Sequence, residues 1–123
     1  MKIIDALETL DSLKHNAYGQ PEKVGWLNRV EQMVKALIID ACEGAQNCTF
    51  TWYDDNTPLD TELLVPAPFD ELYIRWMEAQ IDYNNGETTL YNESITLFNT
   101  AWSNFERWYI RNHMPKGSKI KYF

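Results

Sequence analysis

Apolar residues fall at helical spacing along most of the chain. Ile3, Ile4, Leu7, Leu10 and Leu13 recur every few positions, with Asp5, Glu8, Asp11 and Lys14 between them. This predicts a short amphipathic first helix ending near Asn16-Ala17-Tyr18-Gly19. Pro21 stands where a helix can begin, and Val24, Leu27, Val30, Met33, Val34, Leu37 and Ile38 form the stripe of a second helix. Glu22 near its start and Lys35 towards its end suit the helix dipole, and Gly44 supplies a stop. Phe69, Leu72, Tyr73, Trp76, Met77, Gln80 and Tyr83 mark the inward face of a third helix. Asn84-Asn85-Gly86 breaks it, since Asn and Gly tolerate left-handed backbone. A fourth helix is predicted from Glu87 to Asn112, with Tyr91, Ile95, Phe98, Trp102, Phe105 and Tyr109 in a seven-residue repeat. Such a repeat packs along another helix at a shallow crossing angle, and the short break makes helices three and four an antiparallel hairpin.

Between Ala45 and Pro68 the helical pattern stops. Thr49-Phe50-Thr51-Trp52-Tyr53 is rich in β-formers, Asp54-Asp55-Asn56-Thr57-Pro58 is turn chemistry, and Thr61-Glu62-Leu63-Leu64-Val65 offers a returning strand. A small β-hairpin over 49–65 and a plain ordered loop are both compatible with this stretch. A lone hairpin is marginal in water and needs helices or a neighbouring subunit to pack on. The expected architecture is therefore mainly all-α, with about four helices in one domain over 1–114 and a basic tail over 115–123.

Charge divides the chain unevenly. Residues 1–106 carry all 18 acids against six bases, a net charge of −12, whereas residues 107–123 carry five bases and no acid. Those bases are Arg107, Arg111, Lys116, Lys119 and Lys121. An acidic body with a basic tail is suited to binding copies of itself, or to laying the tail on nucleic acid; a merely solvated tail is the plainer alternative. No apolar run approaches the roughly 20 residues of a membrane-crossing helix, and Asp5 falls where a signal peptide needs its apolar stretch. Cys42 and Cys48 are too few for a disulfide framework and lack a histidine nearby, so neither a disulfide nor zinc is expected.

Candidate chemistry is sparse. The sequence has no phosphate loop, dinucleotide fingerprint or nucleophile elbow. His15 and His113 stand at opposite ends of the chain, without partners at ligand spacing. Glu78 and Asp82, one helical turn apart, could hold Mg²⁺ as in all-helical nucleotide pyrophosphohydrolases. The paired acidic clusters of such a site are missing, and a solvated helix face accounts for both residues. No enzyme activity and no cofactor are expected. Aromatic residues make up 14% of the chain, more than a core of this size needs, and hint at a partner surface. Trp108 lies beside the stripe of the fourth helix, next to Arg107 and Arg111, where it can face a partner or stack a nucleobase.

Several strings resemble a family of small phage and prophage proteins: Leu64-Val65-Pro66-Ala67-Pro68-Phe69-Asp70-Glu71-Leu72-Tyr73, then Ala79-Gln80-Ile81-Asp82-Tyr83-Asn84-Asn85-Gly86-Glu87. Tyr91-Asn92-Glu93-Ser94, Leu97-Phe98-Asn99, Phe105-Glu106-Arg107-Trp108-Tyr109 and His113-Met114-Pro115-Lys116-Gly117 belong to the same resemblance. These strings are similar to head–tail connector, or head-completion, proteins of tailed phages infecting Gram-positive bacteria. The resemblance covers about half the chain, mostly residues 64–117. It implies a noncatalytic, mostly helical subunit that forms a ring between portal and tail, through which DNA passes without sequence-specific contact. The implied partners are further copies of the chain, the portal protein and tail-side connector proteins. The implied location is the virion neck, and the bacterial host cytoplasm during assembly. Expected interaction residues are Phe50, Trp52 and Tyr53 in the 49–65 segment, Trp108 and Arg111 on the fourth helix, and Lys116, Lys119, Lys121, Tyr122 and Phe123 in the tail. The two rivals are the Mg²⁺-dependent hydrolase and a small nucleic-acid-binding module.

Overall fold

The computed structural model describes residues 1–45 and 48–115. Four α-helices follow the predicted order: α1 (Ile3–Leu13), α2 (Gln20–Val34), α3 (Glu71–Asn84) and α4 (Thr88–Asn112). α2 runs on into a π-helical turn, Lys35–Ile39, which the periodicity did not foretell. At the start of α1 the Lys2 N–H donates to Asp5 Oδ2 at 3.2 Å, and at the start of α2 the Gly19 N–H donates to Glu22 Oε1 at 3.1 Å. Each bond satisfies a backbone donor that a helix end would otherwise leave open. Gly86 turns α3 into α4 with a φ of 74°. Any side chain there would be strained.

The core joins α1 (Ile3, Ala6, Leu7, Leu10), α2 (Leu27, Val30, Val34), the π-helical turn (Ile38, Ile39), α3 (Leu72, Tyr73, Met77, Ile81) and α4 (Phe98, Phe105). Each fully buried aliphatic or aromatic side chain is worth about 1.5–3 kcal/mol of transfer free energy. α3 and α4 form the antiparallel hairpin, with ring centroids of Trp76 and Phe98 5.1 Å apart and those of Tyr83 and Tyr91 5.7 Å apart. The inward face of α3 is broader than its spacing predicts. α3 meets α1 and α2 as well as α4, so Ile74, Ala79, Ile81 and Asp82 are buried, while Tyr83, expected inside, is 67% exposed.

The described part of 49–65 is an ordered loop. No ladder pairs 49–53 with 61–65; the one bridge there joins Glu62 to Lys2. The loop instead borrows partners from α1, whose Ile3 and Ile4 N–H groups donate to Thr61 and Leu59 carbonyls at 3.0 and 2.9 Å. Leaving α4, the chain lies against the end of the π-helical region: Glu43 N–H donates to the Met114 carbonyl at 2.8 Å, and Pro115 bridges to Cys42. No helix among the described residues is long and apolar enough to cross a membrane.

Candidate interaction site

The stripe of α2 contains an anomaly. Leu27, Glu31, Val34 and Ile38 follow the four- and three-residue steps of a core row, so an acid occupies a core position. Glu31 is fully buried, and the structure compensates it with neutral donors alone. Tyr53 Oη and the Leu64 N–H donate to Oε2 at 2.8 and 2.9 Å, and Tyr73 Oη donates to Oε1 at 2.5 Å. Tyr73 Oη also accepts from the Val65 N–H at 2.8 Å. One turn away, buried Asn28 clasps the backbone of Tyr53, donating to its carbonyl at 2.9 Å and accepting its N–H at 2.7 Å. Two residues of α2 thus hold both arms of the 48–65 loop. Burial pushes the Glu31 carboxyl up, against the opposing pull of its three hydrogen bonds. Burial, reinforced by the neighbouring carboxylate, pushes both tyrosine hydroxyls up as well, so they remain donors.

This anchoring determines what the loop displays. Tyr53, expected at an interface, is buried because its hydroxyl is committed to Glu31. The alternation of a strand-like segment sends its neighbour the other way: Trp52 is 51% exposed. Phe50 is half-buried, its ring edge-on to Tyr53 at 5.1 Å. With Arg29, Met33 and Leu37 of α2 and its extension, Phe50 lines an open groove of about 560 Å³. Leu37 is 60% exposed there, although the periodicity assigned it to the core. Leu37 lies within the π-helical turn Lys35–Ile39, whose wider i→i+5 winding takes more residues per turn, breaks the phase of the row and carries this side chain outward.

Trp108 is half-buried on α4, packed on Phe69 with ring centroids 5.0 Å apart. Arg111 is exposed and, with Arg107, Asn104, Pro68 and Phe69, lines a second cleft of about 470 Å³. The loop aromatics and the α4 pair are therefore on separate surfaces rather than in one site. The expected tail contacts Lys116, Lys119, Lys121, Tyr122 and Phe123 lie outside the described residues.

The candidate metal carboxylates are both compensated by cations of the chain. Glu78 accepts from Arg75 at 3.2 Å, and Arg75 also reaches Glu71 at 2.9 Å. Asp82 departs from its expected solvated position: it is fully buried between α1, α3 and α4. Ser94 Oγ donates to its Oδ2 at 2.5 Å, and Lys14 Nζ lies 2.7 Å from Oδ1, off hydrogen-bond geometry, so that pairing is mainly coulombic. No group of three or more His, Cys, Asp or Glu among the described residues converges as a metal site would require. His113 is stacked flat on Tyr109, with centroids 3.9 Å apart, and His15 is exposed.

Glu31, Asn28 and Tyr73 build the loop anchor; of these the helical spacing singles out only Tyr73, and only as an inward-facing residue of α3. The signal for Glu31 was present, as a charge at a core position of the α2 row. Asn28 and Tyr73 carry no comparable signal for this role, because their anchor partners, Tyr53 and Glu31, are 25 and 42 residues away along the chain. Comparison with protein-family models, with curated proteins and with solved structures finds no match to this chain.

Proposed function

We propose that this protein is a noncatalytic structural subunit of a phage head–tail connector, assembling into a ring between portal and tail through which DNA passes. The observation that carries the reading is a loop clamped to the helical body by Glu31 and Asn28 and presenting Trp52 to solvent beside the Phe50–Leu37 groove. A large aromatic held on a pre-ordered loop binds at a lower ordering cost, which suits a subunit contact. The finer assignment rests on the resemblance of strings within residues 64–117 to connector proteins. Rings are built from heterologous contacts, one surface on a different surface of the next copy. The loop face and the basic tail beyond Pro115 are the two surfaces assigned to it.

The test is absolute mass by light scattering over a wide concentration range at two salt levels. A salt-sensitive assembly of many copies, lost in Trp52→Ala or on removal of residues 116–123, is expected. Mg²⁺-dependent nucleotide hydrolysis abolished by Glu78→Gln would replace the reading with the hydrolase. Salt-sensitive DNA binding that vanishes with residues 116–123 would replace it with the nucleic-acid module, since phosphate contacts release counterions.

A further inference from the structure

α4 carries a second face, turned away from the hairpin, that the core does not use. Leu90, Leu97, Asn104 and Arg111 lie seven residues apart and so form one row along the helix. Leu90 and Leu97 are 42% and 48% exposed, and Asn104 and Arg111 are exposed too. Glu93, Thr100 and Arg107 form a parallel row beside it, again at seven-residue steps. The two halves of this face are unlike. The N-terminal half is acidic and apolar (Glu87, Leu90, Glu93, Leu97), and its acids make no ion pair among the described residues. The C-terminal half is basic and concave: Arg107 and Arg111 stand across from Pro68 and Phe69 in the cleft of about 470 Å³. Among the described residues the Arg107 side chain bonds only Asn104, at 3.2 Å, and Arg111 makes no ion pair.

One row is centred between Thr100 and Ala101 and the other on Thr100, within half a residue of each other, and this makes the face complementary to itself. When a second α4 is laid antiparallel with its midpoint on the first, Glu93 of one copy falls opposite Arg107 of the other. Leu97 falls opposite Asn104, at the mouth of the Pro68–Phe69 cleft, and Leu90 falls opposite Arg111. Every contact occurs twice, as a two-fold axis requires. We infer that a second copy of this chain covers the α4 face, forming an antiparallel two-fold dimer in which each cleft receives the acidic, leucine-bearing half of the partner helix. The inference does not depend on the connector reading, whose contacts use the loop and tail.

The experiment is sedimentation equilibrium of the full chain and of Glu93→Arg, Arg107→Glu and the double charge swap, with circular dichroism confirming that each stays helical. The wild-type chain is expected to dimerise. Each single reversal should weaken the dimer at least about tenfold, by placing like charges across the axis, and the double swap should restore it to within about threefold. A wild-type chain that shows no dimer at any concentration overturns the inference. So does a dimer indifferent to the single reversals, or one that the double swap fails to rescue. Assembly beyond the dimer that is lost in Trp52→Ala but kept in Glu93→Arg concerns the loop contacts alone, so the two proposals fail separately.

Discussion

Between α2 and the 48–65 loop, three uncharged donors surround Glu31; between α1, α3 and α4, a lysine ammonium and one hydroxyl meet Asp82. Both acids are removed from water, so both bear a desolvation penalty. The Glu31 arrangement recruits two hydroxyls and a backbone N–H from three points of the chain, and its product is order: the loop is fixed relative to α2 and α3. The Asp82 arrangement ties α1 to the α3–α4 hairpin through charge, with Lys14 still 26% exposed to solvent. A carboxylate held by neutral donors stays sensitive to pH and positions a segment. One held by a part-exposed cation is tolerant of adjustment and mainly joins helices.

The largest effect is expected from Glu31→Leu. It strands the Leu64 N–H and removes the acceptor of both tyrosines, each stranded buried group costing about 1–3 kcal/mol. A loss of about 3–5 kcal/mol is expected in urea unfolding, together with rapid proteolysis within the loop. If cleavage stays confined to the termini, Glu31 does not anchor the loop. Lys14→Met should cost less, about 2–3 kcal/mol, because water reaches the position of the lost ammonium and discounts the 3–5 kcal/mol typical of a broken buried pair. A loss equal to that of Glu31→Leu would erase the contrast between the two sites.

The pH response sharpens the contrast. The Glu31 pKa is raised on folding, so the folded state holds its proton more tightly than the unfolded state does. Its contribution to stability is fully present below the unfolded value and declines as pH rises through the folded one. Unfolding measured from pH 4.5 upwards should show this decline in the wild type, and Glu31→Gln should flatten it. An unchanged slope in that variant would assign the pH response to other groups. The smallest effect is expected at Trp52. Half-exposed and outside the anchor, it should change stability by no more than about 0.5 kcal/mol on conversion to Ala. Calorimetry of that variant separates its display role from the anchoring role of Tyr53.

How much of this was legible in the sequence follows from how local each feature is. The four helices were, because their stripes repeat within one element, and α4 begins within a residue of its expected start at Glu87. Gly86 marked the hairpin turn correctly for the same reason. The 49–65 sequence fits both a hairpin and an irregular chain because the partners that decide it, Ile3, Ile4, Asn28 and Glu31, are remote in sequence. The burial of Asp82 is not legible within α3, because it depends on Lys14, 68 positions earlier. Tyr53 and Trp52 are adjacent aromatics with equal claims to an interface. Only the position of Glu31 decides which one turns outward.

The Glu31 junction also orders events in time. Its three donors lie at Tyr53, Leu64 and Tyr73, so it cannot close until α2, both arms of the loop and α3 are already together. The α3–α4 hairpin needs only neighbours in sequence, and contacts of short separation form first because less loop entropy opposes them. The clamp is therefore a late step in folding: weakening it should accelerate unfolding while leaving the refolding rate almost unchanged.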